Sequence, residues 1–239
     1  MLLRELVLVV VGALVVSALL RAFVGQMFVI PSASMQNTLL ERDRVVVEKI
    51  TDVHRGEVVV FEDPAHWLPD EPEGGRSRLD RVLDLVGVPT ASSPGHLIKR
   101  VIGMPGDTVV CCDDAGRITV NGRALDETSY LYTNPSGEQV APSDVVFSVV
   151  VPRDRIFVMG DHRDLSADSR CHLSDASPDG AGQTAFVPLS DVVGPAFAIV
   201  SPLDRAHRLP VPQTFTDVPA PARPAPSEGS IEPVGVRCS

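Results

Sequence analysis

The chain has 239 residues, 44% of them hydrophobic, enough to bury the core of one good-sized domain or two small ones. Its formal net charge of −10 argues against a nucleic-acid partner, because phosphate binding needs a basic surface. Four cysteines, Cys111, Cys112, Cys171 and Cys238, permit three full pairings, among which sequence does not choose. A bridge between the neighbours Cys111 and Cys112 would be strained. In an oxidising compartment one of the two could bridge to Cys171. No CxxC spacing points to zinc.

The N-terminus is apolar. Leu6–Leu20 is a run of 15 uncharged residues rich in Val and Leu. A membrane-spanning helix needs ~20 such residues. Leu2–Phe23 supplies that length if Arg4, Glu5 and Arg21 lie near its ends and snorkel. The rival reading is a cleavable secretory signal, whose basic leading region is nearly missing here. The expectation is a retained single-pass anchor over 1–24. Arg4 and Arg21 flank both ends, so the distribution of positive charge leaves its orientation open.

Val- and Ile-rich runs follow, separated by turn residues. Arg44–Ile50, Gly56–Asp63, Leu97–Met104, Asp107–Cys112 and Arg117–Val120 read as strands, as do Asp144–Val150, Asp154–Asp161 and Asp191–Val200. Pro105-Gly106-Asp107, Asn121-Gly122 and Pro135-Ser136-Gly137 are turn signals between them. Many short strands with little helix predict a mainly antiparallel β domain over 25–204. Residues 63–95 read as an insertion, in which Leu79, Val82, Leu83 and Val86 have helical spacing. That short helix, within 76–88, would pack on the sheet or touch lipid. Residues 205–239, with seven prolines between Pro210 and Pro233, read as a flexible tail.

The chemistry centres on Phe28–Leu40, FVIPSASMQNTLL, where Ser32 and Ser34 follow the apolar stretch. A serine hydroxyl is a weak nucleophile and needs a base. His162, beside Asp161 and Asp164, offers one arrangement, a triad with Ser34. Asp161, Asp164, Asp168 and His172 could instead mimic a metal site, although their spacing is not that of a fixed ligand set. A lysine can also serve if burial keeps it neutral. Lys99 lies in an apolar strand, and alternation sends Lys99 and Arg100 to opposite faces. Lys99 could equally guard an edge strand. Lys49, beside Glu48 and Asp52, suits a charged surface.

Four stretches resemble, in order, the motif boxes of type I signal peptidases: Pro31–Leu39, Arg44–Ile50, Ile98–Val109 and Met159–Arg170. The single anchor and short cassette are similar to Gram-positive, actinobacterial forms. The resemblance implies a Ser–Lys hydrolase on an antiparallel β-sheet, with Ser34 as nucleophile, Lys99 as general base and Ser32 in the oxyanion hole. It implies that Ser166 orients the lysine amine. Asp168 and Arg170 would form an ion pair behind the site, with Arg100 and Asp161 supporting the same region. Ile30, Pro31, Met35, Leu39 and Ile98 would line shallow pockets for small side chains at positions −1 and −3. No metal or cofactor is implied. The partners would be signal peptides of exported preproteins and membrane lipid. The protein would be a monomer with its catalytic domain on the extracytoplasmic face of the cytoplasmic membrane. Three departures stand out: Ala33 where many members have glycine, His162 where many have asparagine, and Gln36-Asn37 in place of a common acidic-proline or related pair. Ala33 would matter if the backbone there needed a positive φ.

Overall fold

The structure is a computed structural model describing residues 25–65, 67–68 and 95–232, together with residues 4–6, 9 and 12 near the N-terminus. It is mainly β. One sheet is built from β1 (Gly25–Val29), β2 (Arg44–Glu48), β3 (Val58–Glu62), β4 (His96–Gly103), β9 (Arg155–Met159), β10 (Val187–Pro188), β11 (Val192–Ser201) and β12 (His207–Arg208). Its order is β1-β2-β11-β3-β4-β9-β10, with β12 added beside β11. The second sheet has β5 (Thr108–Cys111), β6 (Thr119–Val120), β7 (Arg123–Ala124), β8 (Phe147–Val150) and β13 (Ser230–Glu232), in the order β13-β8-β5-β6-β7. All pairings are antiparallel.

Strand periodicity explains the core. In β3, Val58 and Val60 join Phe28, Ile30, Met35, Leu39 and Ile98 on one face. Val59 and Phe61 join Val101, Ile156 and Val158 on the other. A strand buried on both faces reads as an unbroken apolar run, as VVVF does here. A third cluster, around Val109, Phe147, Phe157 and Phe186, fills the second sheet. The ten-residue β11 pairs with β3 through its first half and β2 through its second, with register shifts that bend it across the sheet. At the Asn121-Gly122 signal, φ values of 52° and 78° close the two-residue hairpin between β6 and β7.

Two expectations are corrected. The segment from 205, expected to be flexible, packs on the domain as far as 232. Phe215 and Val218 enter the third core cluster, and β13 pairs with β8. The carbonyls of Pro219 and Pro226 accept hydrogen bonds from Asn121 Nδ2 and Arg153 N. Prolines therefore shape an extended strap here, fixed by its few apolar side chains, by the β13 pairing and by backbone carbonyls that accept from the domain. The cysteines also pair otherwise: Cys111 and Cys112 are bonded to each other across a cis peptide that brings their Cα atoms within 2.9 Å. Cys171 is in a disulfide as well, with neither of these two.

Among the described residues no helix is long and apolar enough to cross a membrane. The anchor expected over 1–24 lies largely outside the described residues, and the helix expected within 76–88 lies wholly outside them.

Candidate active site

Between β1 and β2 the chain makes a closed loop. Ile30 N–H donates to the Asp43 carbonyl at 2.9 Å, and Arg42 N–H donates to the Ile30 carbonyl at 2.9 Å. The Asp43 carboxylate accepts from Leu40 N–H and from Arg205, which fastens the base of the loop. Ser34 sits on a 3₁₀ turn, Ala33–Met35, entered from an extended Ser32. Met35 and Leu39 are fully buried, so the turn is plugged into the core by two apolar side chains and cannot roll. Ala33 is not among the described residues with positive φ, so alanine fits where a glycine was at issue; Asn37, at φ 90°, makes the left-handed step instead.

The middle of β4 faces this turn. Lys99 Nζ lies 2.8 Å from Ser34 Oγ and donates to the Ile98 carbonyl at 3.1 Å. Lys99 is 3% exposed and Ser34 6%. Among the described residues Lys99 forms no ion pair with a carboxylate. Desolvation by burial lowers its pKa to about 8, against the upward pull of Asp168 and Asp161 and with a smaller downward push from Arg170. The geometry can therefore transfer a proton: a hydroxyl hydrogen-bonded to an amine that loses its charge near neutrality.

Ser32 Oγ is 3.3 Å from Ser34 Oγ, at the exposed side of the turn. Asp168 and Arg170 form a buried bidentate pair, with 2.9 Å from both Nε and Nη2 to the carboxylate. Burial alone would push the Asp168 carboxyl up; the Arg170 charge, its hydrogen bonds and Gly160 N–H overcome this and hold it below the usual range. Arg100 grips Asp161 through Nε at 2.8 Å and Nη2 at 2.6 Å. Ser166 is also buried near the turn, but its Oγ makes no hydrogen bond to Lys99. Ser166 stands against Gly160 beside the Ser34 turn without the contact expected of it. Ile30, Pro31 and Ile98 line a shallow groove together with Phe28 and His96. Met35 and Leu39 lie in the core beneath and do not line it.

The competing arrangements are not assembled. His162 Nε2 pairs with Asp164 at 3.2 Å, while its backbone N–H, not its ring, reaches Ser34, donating to the carbonyl at 3.0 Å. No group of three or more potential metal ligands occurs among the described residues. Three residues at the site went unread in the sequence. Thr38 Oγ1 donates to Asp161 and accepts from Arg100 Nη2 at 3.2 Å, tying the nucleophile's turn to β4 and to the 160–170 loop. Arg163 and Glu127 form a buried pair behind that loop. These contacts join residues tens to over a hundred positions apart, for which the local pattern gives no signal.

A family model described as "Signal peptidase, peptidase S26" matches residues 3–201. A signal peptidase I of Mycobacterium tuberculosis is 35% identical over 224 residues, covering 85% of this chain and 74% of the relative. A probable signal peptidase I of Mycobacterium leprae is 34% identical, covering 77% and 71% respectively. A signal peptidase I of Bacillus amyloliquefaciens is 29% identical, covering 77% and 87%. A solved signal peptidase I from Enterococcus faecalis V583 is 20% identical over 61% of this chain and 97% of that one, with a TM-score of 0.31, too low to argue from.

Proposed function

The chain belongs to the signal peptidase family, peptidase S26, and from that premise we propose that it is a membrane-anchored serine endopeptidase that removes N-terminal signal peptides from exported preproteins with a Ser34–Lys99 dyad. The observation that carries this reading is the 2.8 Å approach of Ser34 Oγ to the Nζ of a buried lysine whose pKa burial lowers to about 8.

In the neutral state of Lys99 the Ser34 hydroxyl donates to the amine lone pair. As Oγ attacks the scissile carbonyl carbon, its proton passes to Nζ. The carbonyl π electrons move onto oxygen, and that oxyanion is received by the Ser32 hydroxyl and the Ser34 N–H. The lysine ammonium returns its proton to the leaving amine, the C–N bond breaks, and an ester to Ser34 remains. Water then attacks this ester while Lys99 takes the water's proton and delivers it to Ser34 Oγ. One amine N–H of neutral Lys99 is held by the Ile98 carbonyl. The second is free for Ser166 Oγ, which would orient the amine once Ser166 turns toward it. The Asp168–Arg170 and Arg100–Asp161 pairs hold the surrounding backbone.

The groove lined by Ile30, Pro31 and Ile98 suits small side chains at substrate positions −1 and −3, with Met35 and Leu39 packed in the same core cluster as Ile30 and Ile98. On this reading residues 1–24 are a single-pass anchor, and the signal-peptide cleavage site, which lies outside the membrane, sets the domain on the extracytoplasmic face, working as a monomer against lipid. The anchor confines enzyme and substrate to one plane and raises their effective concentration.

The test is cleavage of a preprotein bearing an Ala-x-Ala site by the detergent-solubilised full chain. Wild type cleaves after the second Ala, and Ser34→Ala and Lys99→Ala lose on the order of 10³-fold or more in kcat. Wild-type rates in either variant would remove the dyad. No cleavage by wild type would favour a tethered binding domain.

A further inference from the structure

Glu127–Tyr132 lies outside the four motif stretches, yet three segments of the site converge on it. Asn37 Nδ2, three residues beyond Ser34, donates to the Leu131 carbonyl at 3.2 Å. Tyr132 N–H donates to the Asp161 carbonyl at 3.1 Å, and the Tyr132 ring lies against His162 with centroids 3.8 Å apart. The Arg100 guanidinium carbon sits 4.4 Å from the centroid of the Tyr130 ring. Arg163 Nη2 donates to Glu127 Oε1, which also accepts the Tyr130 hydroxyl at 2.6 Å. Burial and the nearby Glu127 charge raise the Tyr130 pKa, so its hydroxyl keeps the proton it donates.

Arg163 is the distributor. Its Nε donates to the Gly160 carbonyl at 2.9 Å and its Nη1 to the Pro142 carbonyl, while its own carbonyl accepts from Arg170 Nη2 at 2.7 Å. Gly160 has almost no room to move. A Cβ there would stand 2.3 Å from Ser166 Oγ and 2.6 Å from the Ser34 carbonyl oxygen. Gly160 N–H donates to Asp168 at 2.9 Å, and two residues later His162 N–H holds the Ser34 carbonyl at 3.0 Å. A shift at Gly160 therefore reaches the nucleophile and the carboxylate nearest in influence to Lys99.

A buried ion pair is a poor route to stability, since apolar side chains of similar volume often do as well or better. What the guanidinium adds is a planar fork with fixed donor directions. We propose that Glu127 and Arg163 are positioning residues of this peptidase: Glu127 orients the Arg163 fork, and Arg163 fixes the Gly160–His162 backbone that holds Ser34 against Lys99. The inference rests on the Ser34–Lys99 reading and adds to it a control point that reaches, through Glu127, outside the motif stretches.

The experiment measures kcat and KM separately on the full chain in detergent, with the Ala-x-Ala preprotein, for Arg163→Lys, Glu127→Gln and Tyr130→Phe, each checked for cooperative melting. Arg163→Lys keeps the charge but loses the fork, and Glu127→Gln keeps the shape but loses the charge. Both are expected to lower kcat on the order of 10²-fold with KM unchanged, the scale of a small misplacement of reacting groups. Tyr130→Phe, which keeps the ring against Arg100, is expected to lower kcat several-fold. A purely structural role would leave kcat per folded molecule at the wild-type value. Wild-type kcat in folded Arg163→Lys or Glu127→Gln, or a loss confined to KM, overturns the proposal. Should those two not fold, wild-type kcat in Tyr130→Phe overturns it. A wild type that does not cleave refutes the dyad instead.

Discussion

Two buried cations sit side by side on β4, and the protein treats them in opposite ways. Arg100 is enclosed by partners: both carboxylate oxygens of Asp161, the Gly56 carbonyl, the Thr38 hydroxyl and the face of Tyr130. Burial by itself would lower its pKa, but the Asp161 charge and hydrogen bonds outweigh that and raise it. Lys99, one residue before, has a serine hydroxyl and a backbone carbonyl as its hydrogen-bond partners, and burial wins. Both side chains are almost fully buried, so depth does not distinguish them. Pairing does. Arg100 has a carboxylate partner in Asp161, whereas Lys99, the base of the proposed dyad, has none among the described residues. The choice of residue follows: guanidinium stays charged in any protein setting, whereas an ammonium can be neutralised by desolvation.

The contrast is open to attack from each side. Removing the partner of a buried pair exposes the cost of the charge left behind. Arg100→Met strands Asp161, and chemical unfolding should show a loss of about 3–5 kcal/mol; a loss below about 1 kcal/mol would mean that Asp161 finds water or another donor and that Arg100 does not organise the region. Lys99→Met should act in the reverse direction. With a folded pKa of about 8 against the ordinary lysine value of 10.5, the unfolded chain holds this proton more tightly than the native one. Stability from this group thus rises with pH between the two values and is lowest below about 8, where the buried ammonium is fully charged. Lys99→Met should therefore be more stable than wild type at pH 7 by on the order of 3 kcal/mol, and the rise above pH 8 should vanish from its profile. An unchanged slope would show that Lys99 is solvated in the native state.

How much of this was legible in the sequence depends on range. Val- and Ile-rich runs gave their strands because alternation and burial are local properties, and VVVF in β3 is the clearest case. β1 was hidden: GQMFV continues the apolar stretch before it without a turn signal. The strap was misread because its prolines speak of extended backbone, while its attachment rests on Phe215, Val218 and the pairing of β13 with a strand some 80 residues earlier. Ser34 and Lys99 were legible through four ordered motif stretches, and the structure brings their side chains together. Thr38, Glu127 and Arg163 were not, because their contacts exist only once distant segments meet. The groove was half legible: Ile30, Pro31 and Ile98 line it, whereas Met35 and Leu39 support it from the core.

The central claim is that Lys99 acts as the base through a neutral form that burial makes available near pH 8, and the pH dependence of kcat/KM for the wild-type enzyme tests it directly, because that parameter follows ionisations of the free enzyme. The account predicts a rise governed by one group with a midpoint near 8. A midpoint near the unperturbed lysine value of about 10.4, or a rate that does not change between about pH 6 and 11, would contradict it.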